Sequence, residues 1–225
     1  LGVHLPKNWK LAFGYHDAVI PLLDKWDSQG IAFAIKNTPA GMAIETGGGV
    51  SAKLLSDNLV IEFKYSVEVD PLRGSTPPLA VRPYGEILQE VAEMAIELLD
   101  VFAHSAGVRT DRIGIIATSQ MDPQKMPPGV ARMLDAYERM WTGELLKIDA
   151  TAVVVVLSEK LTVDQCHHRL QLDHSQPTPE VQVTLDWQRR FLEPRDLRGA
   201  EISGTIQACV KSALGHFQRI GEGTL

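Results

Sequence analysis

From Leu59 to Val69 the chain alternates: Leu59, Ile61, Phe63, Tyr65, Val67 and Val69 are interleaved with Val60, Glu62, Lys64, Ser66 and Glu68. Period-two patterning buries one side of a strand and leaves the other wet, which is the mark of an antiparallel sheet. Shorter apolar runs precede it at Ile31–Ile35, Met42–Glu45 and Val50–Leu55, and Ser56-Asp57-Asn58 has hairpin-turn chemistry. Residues 31–69 therefore predict a β-meander. Pro71, Gly74, Pro77, Pro78 and Pro83 then predict an irregular connection over 70–83.

The period changes at residue 84. Ile87, Val91, Met94, Ala95, Leu98, Leu99 and Phe102 form one apolar stripe, with Glu86, Glu90, Glu93, Glu97 and Asp100 opposite, so a helix runs over 84–104 and stops at Ser105-Ala106-Gly107. A strand follows at Arg112–Ser119, a loop at Asp122–Pro128 and a second helix over Gly129–Leu146, weakened by Gly143. Thr151–Leu157 is continuously apolar and predicts a central strand covered on both faces. Gln165–His174 and Val181–Phe191 are two further strands joined by a Pro-containing turn, and Ala200–Ile220 is the closing helix.

Residues 1–30 read as an N-terminal arm with Leu5-Pro6 and Trp9, then a short helix near Asp17–Trp26 limited by Pro21 and ended by Gly30. Residues 31–225 read as a single α+β domain. The order βββ-α-β-α-βββ-α favours largely antiparallel sheet with helices packed on one face. A strand group followed by a helix occurs twice, which allows a pseudo-duplicated sheet.

Composition removes some classes. The 225 residues carry a formal charge of −6, which argues against generic nucleic-acid coating or attachment to an anionic membrane. The densest basic patch is Arg189, Arg190, Arg195 and Arg198, read as solvated charge. Two cysteines, Cys166 and Cys209, form no C-x-x-C pair and no disulfide framework. With no apolar run near the roughly 18 residues of a membrane span, and no basic segment followed by an apolar leader, the expectation is a cytoplasmic protein.

Three phrases carry a resemblance: Asp111-Arg112-Ile113-Gly114-Ile115 after the long helix, Leu185-Asp186-Trp187, and the closing helix with His216 and Phe217. Over residues 55–220 they resemble a sporadically distributed bacterial protein family without an assigned activity. The resemblance implies an α+β fold and supplies no functional residue.

Candidate chemistry concentrates on one strand. Asp164, Cys166, His167, His168, Asp173 and His174 are metal- or acid–base-capable types in a short stretch. Strand alternation separates them: Cys166, His168, Leu170, Leu172 and His174 share one face, and His167, Arg169, Gln171 and Asp173 share the other. Cys166, His168 and His174 are the candidate metal ligands, with His104 or His216 able to join only through folding. His167 or His168 would serve as a general base, oriented by Asp173 or Asp186. If this strand pairs with 181–191, Arg169, Gln171, Gln182 and Thr184 become the centre of a polar platform able to bind a ligand. The competing reading makes the strand structural, its Leu170–Leu172 face in the core and its other face wet.

Two features are assigned no site. The acidic stripe of 84–104 reads as a solvated helix face. Gly47-Gly48-Gly49 reads as a hairpin tip, because a strand rather than a helix follows it. No nucleophile elbow, zincin, dinucleotide or EF-hand motif is legible, and the sequence names no cofactor. The leading expectation is a binding or scaffold subunit acting through a protein partner or self-association. A hydrolytic or metal-dependent enzyme built on 164–174 is the second, and a small-ligand or nucleotide sensor lidded by 70–83 the third.

Overall fold

The computed structural model describes residues 1–6, 9–38, 41–64, 82–140, 150–160, 164–175 and 180–224. Among these the order is β1 (Gly2–His4), α1 (Trp9–Ser28), β2 (Phe33–Thr38), β3 (Gly41–Thr46), β4 (Val50–Leu55), β5 (Asn58–Phe63), α2 (Tyr84–Ser105), β6 (Val108–Met121), α3 (Pro128–Met140), β7 (Ala150–Lys160), β8 (Asp164–Ser175), β9 (Val181–Leu197) and α4 (Ala200–Glu222). This is an α+β chain with antiparallel strand pairing, as the periodicity predicts. It divides into unit 1, Leu1–Ile113 with Glu193–Val210, and unit 2, Gly114–Leu192 with Lys211–Leu225.

In unit 1 the strand order is β2-β3-β4-β5-β1-β6. Ile44 pairs with Ala52, Ala52 with Ile61, and Val3 with Leu59, so the buried members of each alternation line up across the sheet. Helix α2 covers that side, burying Val91, Ala95, Leu98, Leu99 and Phe102. Each Val, Leu or Phe among them contributes about 1.5–3 kcal/mol by leaving water, and the alanine less. The close approach of β4 to the start of β3 requires Gly41, whose φ is +153° and where a Cβ would lie 1.9 Å from the Leu54 carbonyl oxygen.

Two expectations for unit 1 change. Helix α1 is long and runs through Pro21, instead of being short and limited by it. Proline costs a helix one hydrogen bond, but Tyr15, Ala18, Val19, Leu22 and Trp26 recur at helical spacing and are all buried, so packing carries the helix across the defect. The three-residue β1 was missed, since Val3 and Leu5 in so short a segment give no period. The described part of the long strand ends at Phe63; its continuation and most of the Pro-rich connection lie outside the described residues.

In unit 2 the order is β6-β9-β8-β7. Val153, Leu172 and Val183 form one transverse row, because Val153 pairs with Leu172 and Leu172 with Val183. They join Leu170, Val181, Met126, Val130, Leu134 and Ile220 in a buried cluster fed by α3 and α4. The end of α4 seats closely on the start of α3: a Cβ at Gly129 would fall 2.2 Å from the Ile220 carbonyl oxygen. Residues 141–149, including the predicted end of the second helix, lie outside the described residues.

The strand read as central is instead terminal in the order. β7 pairs with β8, and Val154 and Val156 on its outer side are 50% and 61% exposed. A continuous apolar run states that both faces of a strand are apolar; it does not state that both are covered.

Along the sequence the described elements run twice through strand, helix, meander and helix, as β1, α1, β2 to β5, α2 and then β6, α3, β7 to β9, α4. In unit 1 the leading strand β1 lies beside the last meander strand β5, and in unit 2 the leading strand β6 lies beside β9. The twofold occurrence of strands followed by a helix thus corresponds to two similar topologies.

Candidate functional site

Strand alternation on β8 sorts the candidate residues as expected. Cys166, His168, Leu170 and Leu172 are buried on one side, and His167, Arg169, Gln171 and Asp173 lie on the other. Pairing with β9 sets His167 opposite Gln188, Arg169 opposite Asp186, Gln171 opposite Thr184 and Asp173 opposite Gln182, so the eight polar residues form two facing rows.

The platform is laced by neutral and charged hydrogen bonds. Arg169 donates to Gln171 at 2.5 Å and Gln171 to Asp173 at 2.8 Å. Gln188 donates to both oxygens of Asp186, at 3.2 and 3.0 Å. From β6, Thr118 meets Thr184 at 3.3 Å and Gln120 donates to Gln182 at 3.2 Å. Residue numbers rise along β6 as they fall along β9, so these strands run antiparallel. Ile116, 60% exposed, shares the Thr118–Gln120 side of β6, and Val154 and Val156 stand opposite Gln171 and Arg169. The wet side of unit 2 therefore combines Thr and Gln side chains with Arg169, Asp173 and Asp186, and with exposed aliphatics that include Ile116, Val154 and Val156.

The catalytic candidates fall on opposite sides of the strand. His167 faces outward, where its Nδ1 lies 3.1 Å from the Ser158 hydroxyl of β7; its Nε2 is buried and has no partner. Ser158 was not singled out from sequence, because its position opposite His167 depends on the β7–β8 register. Asp186 is engaged by Gln188 and Asp173 by Gln171, so neither is hydrogen-bonded to His167 among the described contacts.

His168 faces inward, opposite Trp187 on β9, and the His216 ring of α4 stacks on it with centroids 3.4 Å apart. Burial lowers the pKa of His168, with Arg219 and His167 adding to the effect and Glu159 opposing it. Burial, His168 and Arg219 push His216 down to about 4. Both rings are therefore neutral near pH 7. Cys166, on the same side, has its thiol pushed up by burial against the opposing pull of Arg189, which leaves it protonated and a poor nucleophile. Asp164 is fully buried and accepts from Arg189 Nε at 2.7 Å and also from its Nη2.

For the metal set, Cys166 and His168 share the buried side and His174 lies half-buried near the strand end. Among the described residues no three His, Cys, Asp or Glu side chains converge as a metal-binding group. Folding brings His216, and not His104, to His168; His104 instead bonds the Asp100 carbonyl within α2.

In unit 1 the acidic stripe borders a shallow cleft of about 460 Å³ with Trp26 and the Gly47-Gly48 turn. Its carboxylates are engaged: Glu97 takes bonds from Lys25 and Trp26, and Glu90 pairs with Arg82. No described helix is long and apolar enough to cross a membrane. Comparison with family models, curated proteins and solved structures finds no match to this chain.

Proposed function

We propose that this protein acts by association, and that its partner is a second copy of the chain joined along β7. The supporting observation is the character of that strand. It has eleven residues, it ends the unit 2 strand order, and its stretch from Ala152 to Leu157 contains no charge, proline or glycine. Long edge strands are normally blunted by charge, proline or a bulge, because their unpaired backbone groups template further pairing. Val154, Val156 and Leu157 are exposed on this strand. A two-fold axis perpendicular to the sheet beside β7 makes the two copies antiparallel, so the same strand on each side continues the existing pattern and sets these side chains beside their counterparts.

The test is the mass in solution over a wide concentration range, for the wild type and for Val154→Lys/Val156→Lys. The reading expects a dimer that the paired lysines dissociate while secondary structure is retained. A wild type that is monomeric throughout contradicts it.

A second reading, hydrolysis, is favoured by the 3.1 Å contact between Ser158 and His167, a nucleophile and base in hydrogen-bond range. Loss of activated-ester hydrolysis in both Ser158→Ala and His167→Gln would support it; unchanged hydrolysis in either variant would dismiss the pair.

A further inference from the structure

Unit 2 contains an arrangement that the association reading does not use, on the other side of β8. His168 and His216 are 7% and 5% exposed and stack with ring planes 22° apart. Nδ1 of His168, both nitrogens of His216 and Nε1 of Trp187 have no hydrogen-bond partner. A stacked pair directs its in-plane lone pairs side by side, not toward a shared point, so this is poor geometry for chelation. Two neutral rings tolerate it at the cost of orphaned polar atoms. A protonated ring does not, because an imidazolium presents two donors and a charge that burial leaves without water.

The surrounding ionisable groups give little relief. From β7, Glu159 favours the charged form of His168 and is exposed. From β8, His167 disfavours it, and from α4, Arg219 disfavours charge on both rings. Cys166 is a buried thiol, and Asp164 is held by Arg189 of β9.

We propose that the His168–His216 stack is a proton-operated latch: neutral, it holds residues Lys211–Glu222 of α4 on β8, and protonation of either ring releases them. Release would be felt at α3, since Arg132 donates to the Glu222 carbonyl at 3.1 Å and Ile220 belongs to the core cluster.

Hydrogen exchange resolved by segment tests this on the intact chain between pH 7 and pH 5, after correction for intrinsic exchange rates. With an open-state pKa of 6.5 and a closed-state value of about 4 for His216, one proton increases the opening equilibrium about twentyfold over that range. The expected result is at least that loss of protection in 211–222, and its abolition in His216→Phe, which retains a stacked ring without the titration. Equal pH dependence in wild type and variant overturns the proposal. Should His216→Phe not fold, the ring titrations of the wild type decide: depressed values for both histidines support the latch, and either at or above 6.5 overturns it. Stabilisation of the wild type by equimolar Zn²⁺ through these rings also overturns it, by making them metal ligands.

Discussion

Unit 1 covers the wet side of its meander with opposite charges: Lys36 pairs with Glu45, and Lys53 and Lys64 with Glu62. The corresponding side of unit 2 carries Thr118, Gln120, Gln171, Gln182 and Thr184 beside Arg169, Asp173 and Asp186, with Ile116, Val154 and Val156 exposed among them. The covered sides differ in the opposite sense. The buried face of α2 in unit 1 is wholly apolar, made of Ala, Val, Leu, Ile, Met and Phe, whereas in unit 2 the imidazole of His216 on α4 stacks on that of His168, opposite Trp187, whose buried indole N–H has no partner. One topology thus supports a surface of paired charges over a wholly apolar helix face in one unit, and in the other a mixed polar and aliphatic surface over an apolar cluster flanked by a buried imidazole pair. The lesson is that the topology constrains neither face; the residues at alternate positions decide what each can do.

Substitutions can break this contrast at several strengths. The largest effect belongs to the apolar core of unit 1: Phe102 is fully buried, and Phe102→Ala should cost about 3–5 kcal/mol in denaturant unfolding, with the same penalty at pH 7 and pH 5. Next, Asp164→Ala leaves Arg189 without its buried counter-charge in unit 2 and should cost about 3 kcal/mol or more, whereas a double change of Asp164 and Arg189 to apolar residues should recover part of the loss.

Acid should act on unit 2. The folded pKa of His216 is depressed from 6.5 to about 4, so the unfolded chain binds more protons between those values. The neutral ring's contribution is fully present above pH 6.5 and is lost as pH falls toward 4. At about 1.4 kcal/mol per unit, the loss reaches at most about 3–4 kcal/mol well below pH 4, and denaturation at pH 7 and pH 4.5 should register about 2 kcal/mol of it. His216→Phe should flatten this profile. The smallest effect is expected on the wet side of unit 1: Lys36→Met removes an exposed ion pair and should change stability by less than about 1 kcal/mol, with most of that difference gone in high salt.

What was legible from sequence was local. Val50–Leu55 and the start of α2 at residue 84 follow directly from period and turn chemistry. That Arg169, Gln171, Thr184 and Asp186 share one face was anticipated, because period two fixes which side chains share a face once two strands pair; the register that sets Arg169 opposite Asp186 and Gln171 opposite Thr184 was not. What failed depended on other parts of the chain. Pro21 looked like a boundary because the burial of Val19, Leu22 and Trp26 was not visible locally. β7 looked central because its valines resemble those of a covered strand. His216 occupies the apolar stripe of α4 between Ala213 and Ile220, a signal present in the sequence, but its match with His168 requires the tertiary path.

The central claim, self-association along β7, is tested most directly by amide exchange in residues 150–160 at low and high protein concentration. The account predicts slow exchange at high concentration for amides along the outer edge, lost on dilution and absent in Val154→Lys/Val156→Lys. Exchange in this strand that is independent of concentration, and equal in wild type and variant, would contradict it.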